Sequence, residues 1–240
     1  MITDALRAPK QDGPGLVAYV TAGWPSPAGF PDVLAAVASA ADVVEVGVPF
    51  SDPMADGVTI QQTSRQALEQ GVDLDAILGW VEGCAAPVAL MGYLNPFLAR
   101  GPGLAADLEA AGVEALIVPD LPLEEQDILE GVRLVQLVTP VTTPERRVAL
   151  CRASHGFVYA VRVTGVTGGQ VDAPTDALDA LRDVSTLPVC AGFGIRTAEQ
   201  VRELAPHCDG VIVGTALLEA IGRGEDPAAF LRGLRPAGVG

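Results

Sequence analysis

The stretch LVAYVTAGWPSPAGF, residues 16–30, decides between two folds. Its first half is a continuous apolar run, which reads as a strand covered on both faces. Its second half is a turn of Gly, Pro and Ser that leads into FPDVLAAVASAA, a segment with helical signals. Strand, turn and helix in that order make the repeating unit of an α/β fold. Such units build either an open doubly wound sheet or a closed barrel. The open sheet usually carries G-x-G-x-x-G at this first turn, and TAGWPSPAGF has no such pattern.

The unit then recurs. Apolar runs stand at DVVEVGV (42–48), PVALMGY (87–93), EALIVPD (114–120), RLVQLVTP (133–140), GFVYAVRVTG (156–165), LPVCAGFG (187–194) and DGVIVGTAL (209–217). Helical segments between them open on capping residues: Asp73, Thr143 before Pro144, Thr175, Thr197, and Asp226 before Pro227. Gly71 and Gly112 close two of them. No linker or shift in composition divides the series. Eight strand-then-helix units in 240 residues predict a single (β/α)8 TIM barrel of the α/β class. The domain spans 1–240, with a short N-terminal lead-in before Leu16. In such barrels catalytic groups sit at the C-terminal ends of the strands. The unusual segments TAGWP, EVGVPFSDPMADG, GYLNPF, PDLPLEE, TGVTGGQ, GFGI and GTAL all fall there.

Composition excludes some partners. The net charge is −15, which argues against nucleic acid or an anionic membrane surface. No apolar run approaches the roughly 18 residues of a membrane span. The opening MITDALRAPKQDGPG lacks the apolar core of a signal peptide, so a cytoplasmic location is expected. Four cysteines without a C-x-x-C pair and two distant histidines give no support for a metal site.

Two features point to chemistry. Gly192 and Gly194 in AGFGIRT, and Gly214 with Thr215 in VGTALL, lie where strands seven and eight meet their helices. Glycines let backbone N–H groups approach an anion, and a helix N-terminus favours it. Barrels often build phosphate sites at these two loops, and the glycines of TGVTGGQ (164–170) add a third set of N–H groups. The second feature is EVGVPFSDPMADG, residues 45–57, with three acids in one turn-rich segment. Glu45 interrupts an apolar strand, where a carboxylate is rare unless paired or functional. Asp52, Asp56 and Asp120 equally suit turn capping beside Pro and Gly, and Asp56 also suits an N-cap of the helix that follows.

Together EVGVPFSDPMADGVTIQ, LMGYLNP, VPDLPLEE, VYAVRVTGVTGG, AGFGI and VGTAL resemble the α-subunit family of tryptophan synthase, in order from Val17 to about Leu218. The resemblance implies a (β/α)8 barrel that cleaves indole-3-glycerol phosphate to indole and glyceraldehyde 3-phosphate by a retro-aldol reaction. It implies Glu45 as general acid–base, Asp56 as the carboxylate that meets the indole N–H, and Tyr159 beside them. Tyr159 has a competing reading as a packed core residue. By the same resemblance Leu90 and Phe193 flank the indole, and Thr167 closes from a lid loop. Gly168, Gly192, Gly194, Gly214 and Thr215 take the phosphate. Pro49, Asp52 and Asn95 face a β subunit in an α2β2 assembly. No cofactor is implied for this chain; pyridoxal phosphate belongs to the β subunit. Val58 stands where the family usually has proline, and Arg162 where serine is common. Other readings are a free-standing indole-releasing lyase and a non-catalytic phosphate-binding barrel that activates a partner.

Overall fold

The computed structural model describes residues 1–10, 12–161, 175–192 and 194–235. Thr167, Gly168, Phe193 and Arg162 lie outside the described residues. All eight expected strands form: β1 (Gly15–Thr21), β2 (Val43–Gly47), β3 (Val88–Met91), β4 (Val113–Ile117), β5 (Leu134–Val138), β6 (Val158–Val161), β7 (Val189–Gly192) and β8 (Gly210–Val213). They pair in parallel in chain order, and β8 returns to β1 to close the barrel.

Helices cover the outside. They are α2 (Phe30–Ala40) after β1, α3 (Val58–Glu69) and α4 (Leu74–Val81) after β2, and α5 (Leu94–Arg100) and α6 (Leu104–Ala110) after β3. Then come α7 (Pro144–Ala153), α8 (Thr175–Arg182), α9 (Ala198–Leu204), α10 (Thr215–Gly222) and α11 (Pro227–Leu234). Local capping explains several boundaries. Asp73 accepts from the Ala76 N–H, Thr143 from Arg146 and Asp226 from Ala228, while Thr197 and Gln200 form a reciprocal capping box. Thr175 is the first described residue of α8, so the N-cap expected there stands at the edge of the described residues.

The regular repeat fails once. Between β4 and β5 the chain makes only a 3-10 turn, Leu123–Ile128. Pro119 and Pro122 precede it, and proline removes a donor and disfavours helix in the residue before it.

The lead-in is also structured. Residues Ile2–Arg7 form a helix, α1, with Ile2 and Leu6 buried. Both join Val17, Val43, Ala89, Ala115, Phe157 and Ile212 in a cluster filling the barrel. Thr3 Oγ1 donates to the Gly156 carbonyl, and the Ile2 N–H to Glu114 Oε2, so α1 is tied across the N-terminal ends of the strands. A second cluster, including Val44, Val46, Leu90, Leu116 and Leu217, fills the layer between sheet and helices.

One buried carboxylate joins the chain ends. Asp42, just before β2, is 2% exposed. Its Oδ1 accepts from the Lys10 N–H at 2.7 Å, and its Oδ2 from the Leu16 N–H at 2.7 Å and from Arg235 Nη2 at 2.9 Å. The same Nη2 donates to the Ala40 carbonyl at 2.8 Å.

Candidate active site

Alternation along β2 sets the centre of the site. Val44 and Val46 enter the outer core, whereas Val43 faces the barrel interior, so Glu45 and Gly47 face inward with it. Strand register places Glu45 beside Tyr19 of β1 and Ala89 of β3. The carboxylate is fully buried, and neither oxygen has a hydrogen-bond partner among the described residues. Burial, with Asp56 adding repulsion, pushes its pKa up to about 8.

Two glycines clear space around it. A Cβ at Gly47 would lie 2.1 Å from the Tyr19 hydroxyl oxygen, and one at Gly192 would lie 2.4 Å from the Tyr159 ring. Glycine there lets both phenols lie across the barrel interior. Gly192 thus has a packing reason as well as the expected phosphate role. Desolvation holds both phenols above the ordinary tyrosine range, so they are donors at neutral pH.

Asp56 reaches the site from the β2–α3 loop. It is half-buried, and it does not cap α3, whose N-cap is Gly57 without a side-chain bond. Its Oδ2 accepts from the Tyr93 hydroxyl at 3.2 Å. Burial raises its pKa to about 6, opposed by that hydrogen bond. A cleft beside it is lined by Tyr19, Phe50, Asp56, Met91 and Tyr93.

Two expected residues are placed otherwise. Leu90 is fully buried in the outer core, behind the sheet, and cannot flank a ligand in the mouth. Its neighbour Met91 lines the cleft instead. Pro49 is buried within this chain, which leaves little of it for a partner. Asp52 and Asn95 are exposed. Asp120 acts locally, with its Oδ1 accepting from the Leu94 N–H at 2.9 Å in the first turn of α5.

Beyond β8, two strands round the barrel from β2, Gly214 is the N-cap of α10 and Thr215 its first residue. Gly194 adopts φ +74, and, its chain neighbours aside, no atom of the described residues lies within 4 Å of where a Cβ would stand. Tyr19, Phe50, Met91 and Tyr93 were not singled out by sequence reasoning. Their one available signal was position, at or just beyond the ends of β1, β2 and β3.

A sequence profile described as "Tryptophan synthase alpha chain" matches residues 6–232. The chain belongs to the tryptophan synthase alpha chain family. It is 40% identical to the tryptophan synthase alpha chain of Desulfovibrio desulfuricans, over 96% of this chain and 98% of that one. It is 43% identical to that of Synechocystis, over 87% and 85%. Among solved structures, tryptophan synthase from Mycobacterium tuberculosis matches with a TM-score of 0.87 at 36% identity, covering 97% of this chain and 95% of that chain. The alpha chain from Legionella pneumophila matches with a TM-score of 0.85 at 32% identity, covering 98% and 95%. A tryptophan synthase alpha chain is a carbon–carbon lyase of tryptophan biosynthesis that cleaves indole-3-glycerol phosphate, and this is the activity of the chain. No helix among the described residues is long and apolar enough to cross a membrane.

Proposed function

We propose that Glu45 and Asp56 divide the chemistry of this cleavage between them. The observation that carries the reading is the Glu45 carboxyl, buried in the barrel interior without a hydrogen-bond partner among the described residues. A carboxyl held protonated near neutral pH is a general acid. Glu45 gives its proton to C3 of the indole ring, which becomes an indolenine cation. The resulting carboxylate takes the proton of the adjacent side-chain hydroxyl. The O–H electrons form the aldehyde C=O, and the C–C bonding pair returns to the ring. Indole and glyceraldehyde 3-phosphate result, and Glu45 ends as it began.

Asp56 stays ionised and accepts the indole N–H, which stabilises the ring cation. Tyr159 lies beside Glu45, and its neutral phenol is a donor in the same space. The phosphate meets Gly214 and Thr215 at the N-terminus of α10, with Gly192 and Gly194 beside them at the end of the neighbouring strand β7. Thr167, Gly168 and Phe193, outside the described residues, complete the reading as lid, phosphate and indole contacts. The whole chain, 1–240, acts as one barrel domain in the cytoplasm and needs no cofactor of its own. Its partner is a β subunit in an α2β2 assembly, which holds the pyridoxal phosphate and meets the exposed Asp52 and Asn95.

The test of the pair is Asp56→Asn, assayed for indole release with and without a β subunit. The amide keeps the shape and loses the charge. The expected result is a drop in kcat/KM of about 10²-fold, the scale for removing one electrostatic stabiliser. The acid limb of the pH profile should vanish with it, because the group near 6 is gone. An Asp56→Asn enzyme with parental kcat/KM would sink the assignment.

A further inference from the structure

The β2–α3 loop is anchored at its start by buried Pro49, and Gln61 Nε2 donates to the Asp56 carbonyl at 2.9 Å, but around the Asp56 side chain it has little packing of its own. Met54 and Val58, on either side of Asp56, are 88% and 70% exposed. Yet Asp56 must present one oxygen to a ring nitrogen, and a small misplacement costs much of a catalytic effect. Something outside the loop has to fix it.

Tyr93 meets that need. It is buried at the start of α5, and its ring stacks on Phe50 with centroids 5.0 Å apart and planes at 23°. Its backbone is fixed from both sides. The Gly92 N–H donates to the Ile117 carbonyl at 3.0 Å, and the Leu94 N–H donates to Asp120 at 2.9 Å. The hydroxyl accepts from the Ala55 N–H at 2.8 Å and faces Asp56 Oδ2 at 3.2 Å. A hydroxyl has one proton. With a lone pair already taken by the Ala55 N–H, the O–H is aimed at Oδ2. Asp56 Oδ1 accepts no hydrogen bond among the described residues and is left for the substrate. The donor is neutral, so it orients the carboxylate without cancelling the charge the ring cation needs.

We propose that Tyr93 is a positioning residue for the reaction, holding the Asp56 carboxylate in one orientation by a hydrogen bond from its phenol. The proposal rests on the reading of Asp56 given above. Asp56 is also faced by Glu45 from β2, Tyr19 from β1 and Tyr159 from β6, and Tyr93 by Asp120 from the β4 loop. Of these, Tyr93 is the one that hydrogen-bonds the Asp56 carboxylate among the described residues.

The test is Tyr93→Phe, which keeps the ring and its stack on Phe50. Circular dichroism and the melting temperature should match the parent. The expected kcat/KM is about 10- to 100-fold lower, the range for a hydrogen bond to a charged group. The loss should fall mainly on kcat, because the ring cation forms only during reaction. Indole should bind more weakly, with affinity for glyceraldehyde 3-phosphate unchanged. The acid limb of the pH profile should move to higher pH, since the bond that holds the Asp56 pKa down is gone. In Asp56→Asn, adding Tyr93→Phe should cost little more, as expected of coupled residues. Parental kcat/KM and an unmoved acid limb in Tyr93→Phe overturn the proposal. So does a loss that is the same in both backgrounds, which marks a general structural role. If instead Asp56→Asn itself is fully active, the reading of Asp56 fails first.

Discussion

Glu45→Gln releases indole about 10³-fold more slowly than the parent, within the usual 10²- to 10⁴-fold worth of a general acid–base. The amide fills the same space on β2 and donates through N–H, but it cannot pass a proton to carbon. Binding of glyceraldehyde 3-phosphate should persist, because the proposed phosphate contacts Gly214 and Thr215 start α10, two strands round the barrel from Glu45, and the amide changes neither of them. The parent needs Glu45 protonated and Asp56 ionised at once. Its kcat/KM should therefore be bell-shaped, with apparent limbs near 6 and 8 that belong to the interacting pair. The same substitution should raise stability at neutral pH. An ordinary glutamate in the unfolded chain has lost its proton above about 4.5, while folded Glu45 keeps its proton up to about 8. The folded state binds more protons across that window, so each rise in pH weakens it. Glu45→Gln lacks this penalty and should melt above the parent at pH 7, with the gap closing near pH 4. Turnover close to parental would remove Glu45 from the mechanism.

The largest loss of stability is expected at Asp42. Asp42→Ala leaves the Arg235 guanidinium without its carboxylate inside the protein, and strips the acceptor from the Leu16 and Lys10 N–H groups. Breaking a buried ion pair from one side costs about 3–5 kcal/mol. In a chain of this size that corresponds to a fall in Tm of roughly 6–20 °C. Asp42→Ala with Arg235→Met should recover part of the loss, because the uncompensated charge is gone while the chain N–H groups stay unmet. Thermal and denaturant unfolding of the single and double variants measure both effects. A single variant within about 1 kcal/mol of the parent would show the pair to be incidental.

Much of this was legible in the sequence wherever the cause was local. The caps at Asp73, Thr143, Thr197 and Asp226 act over three residues or fewer, and each forms. Glu45 declared itself by being a charge inside an apolar strand. Leu90 and Met91 were not separable, because β3 is four apolar residues with no alternation to mark a face. Which of them points inward is set by pairing with β2 and by a register shift against β4 between Val88 and Ala89. The bond between Tyr93 and Asp56 joins two loops 37 positions apart, and only the closed barrel brings them together. Helix α1 spans six residues, too few for a periodicity to show.

That small helix gives the barrel a floor. With Ile2 and Leu6 seated among the interior residues, the N-terminal end of the barrel is plugged, and the cleft beside Asp56 lies at the other end. Traffic is then single-ended: substrate enters and both products depart through the same rim. Anything docked over that rim controls the exit as well as the entrance, and a partner gains command of the flow without touching the chemistry.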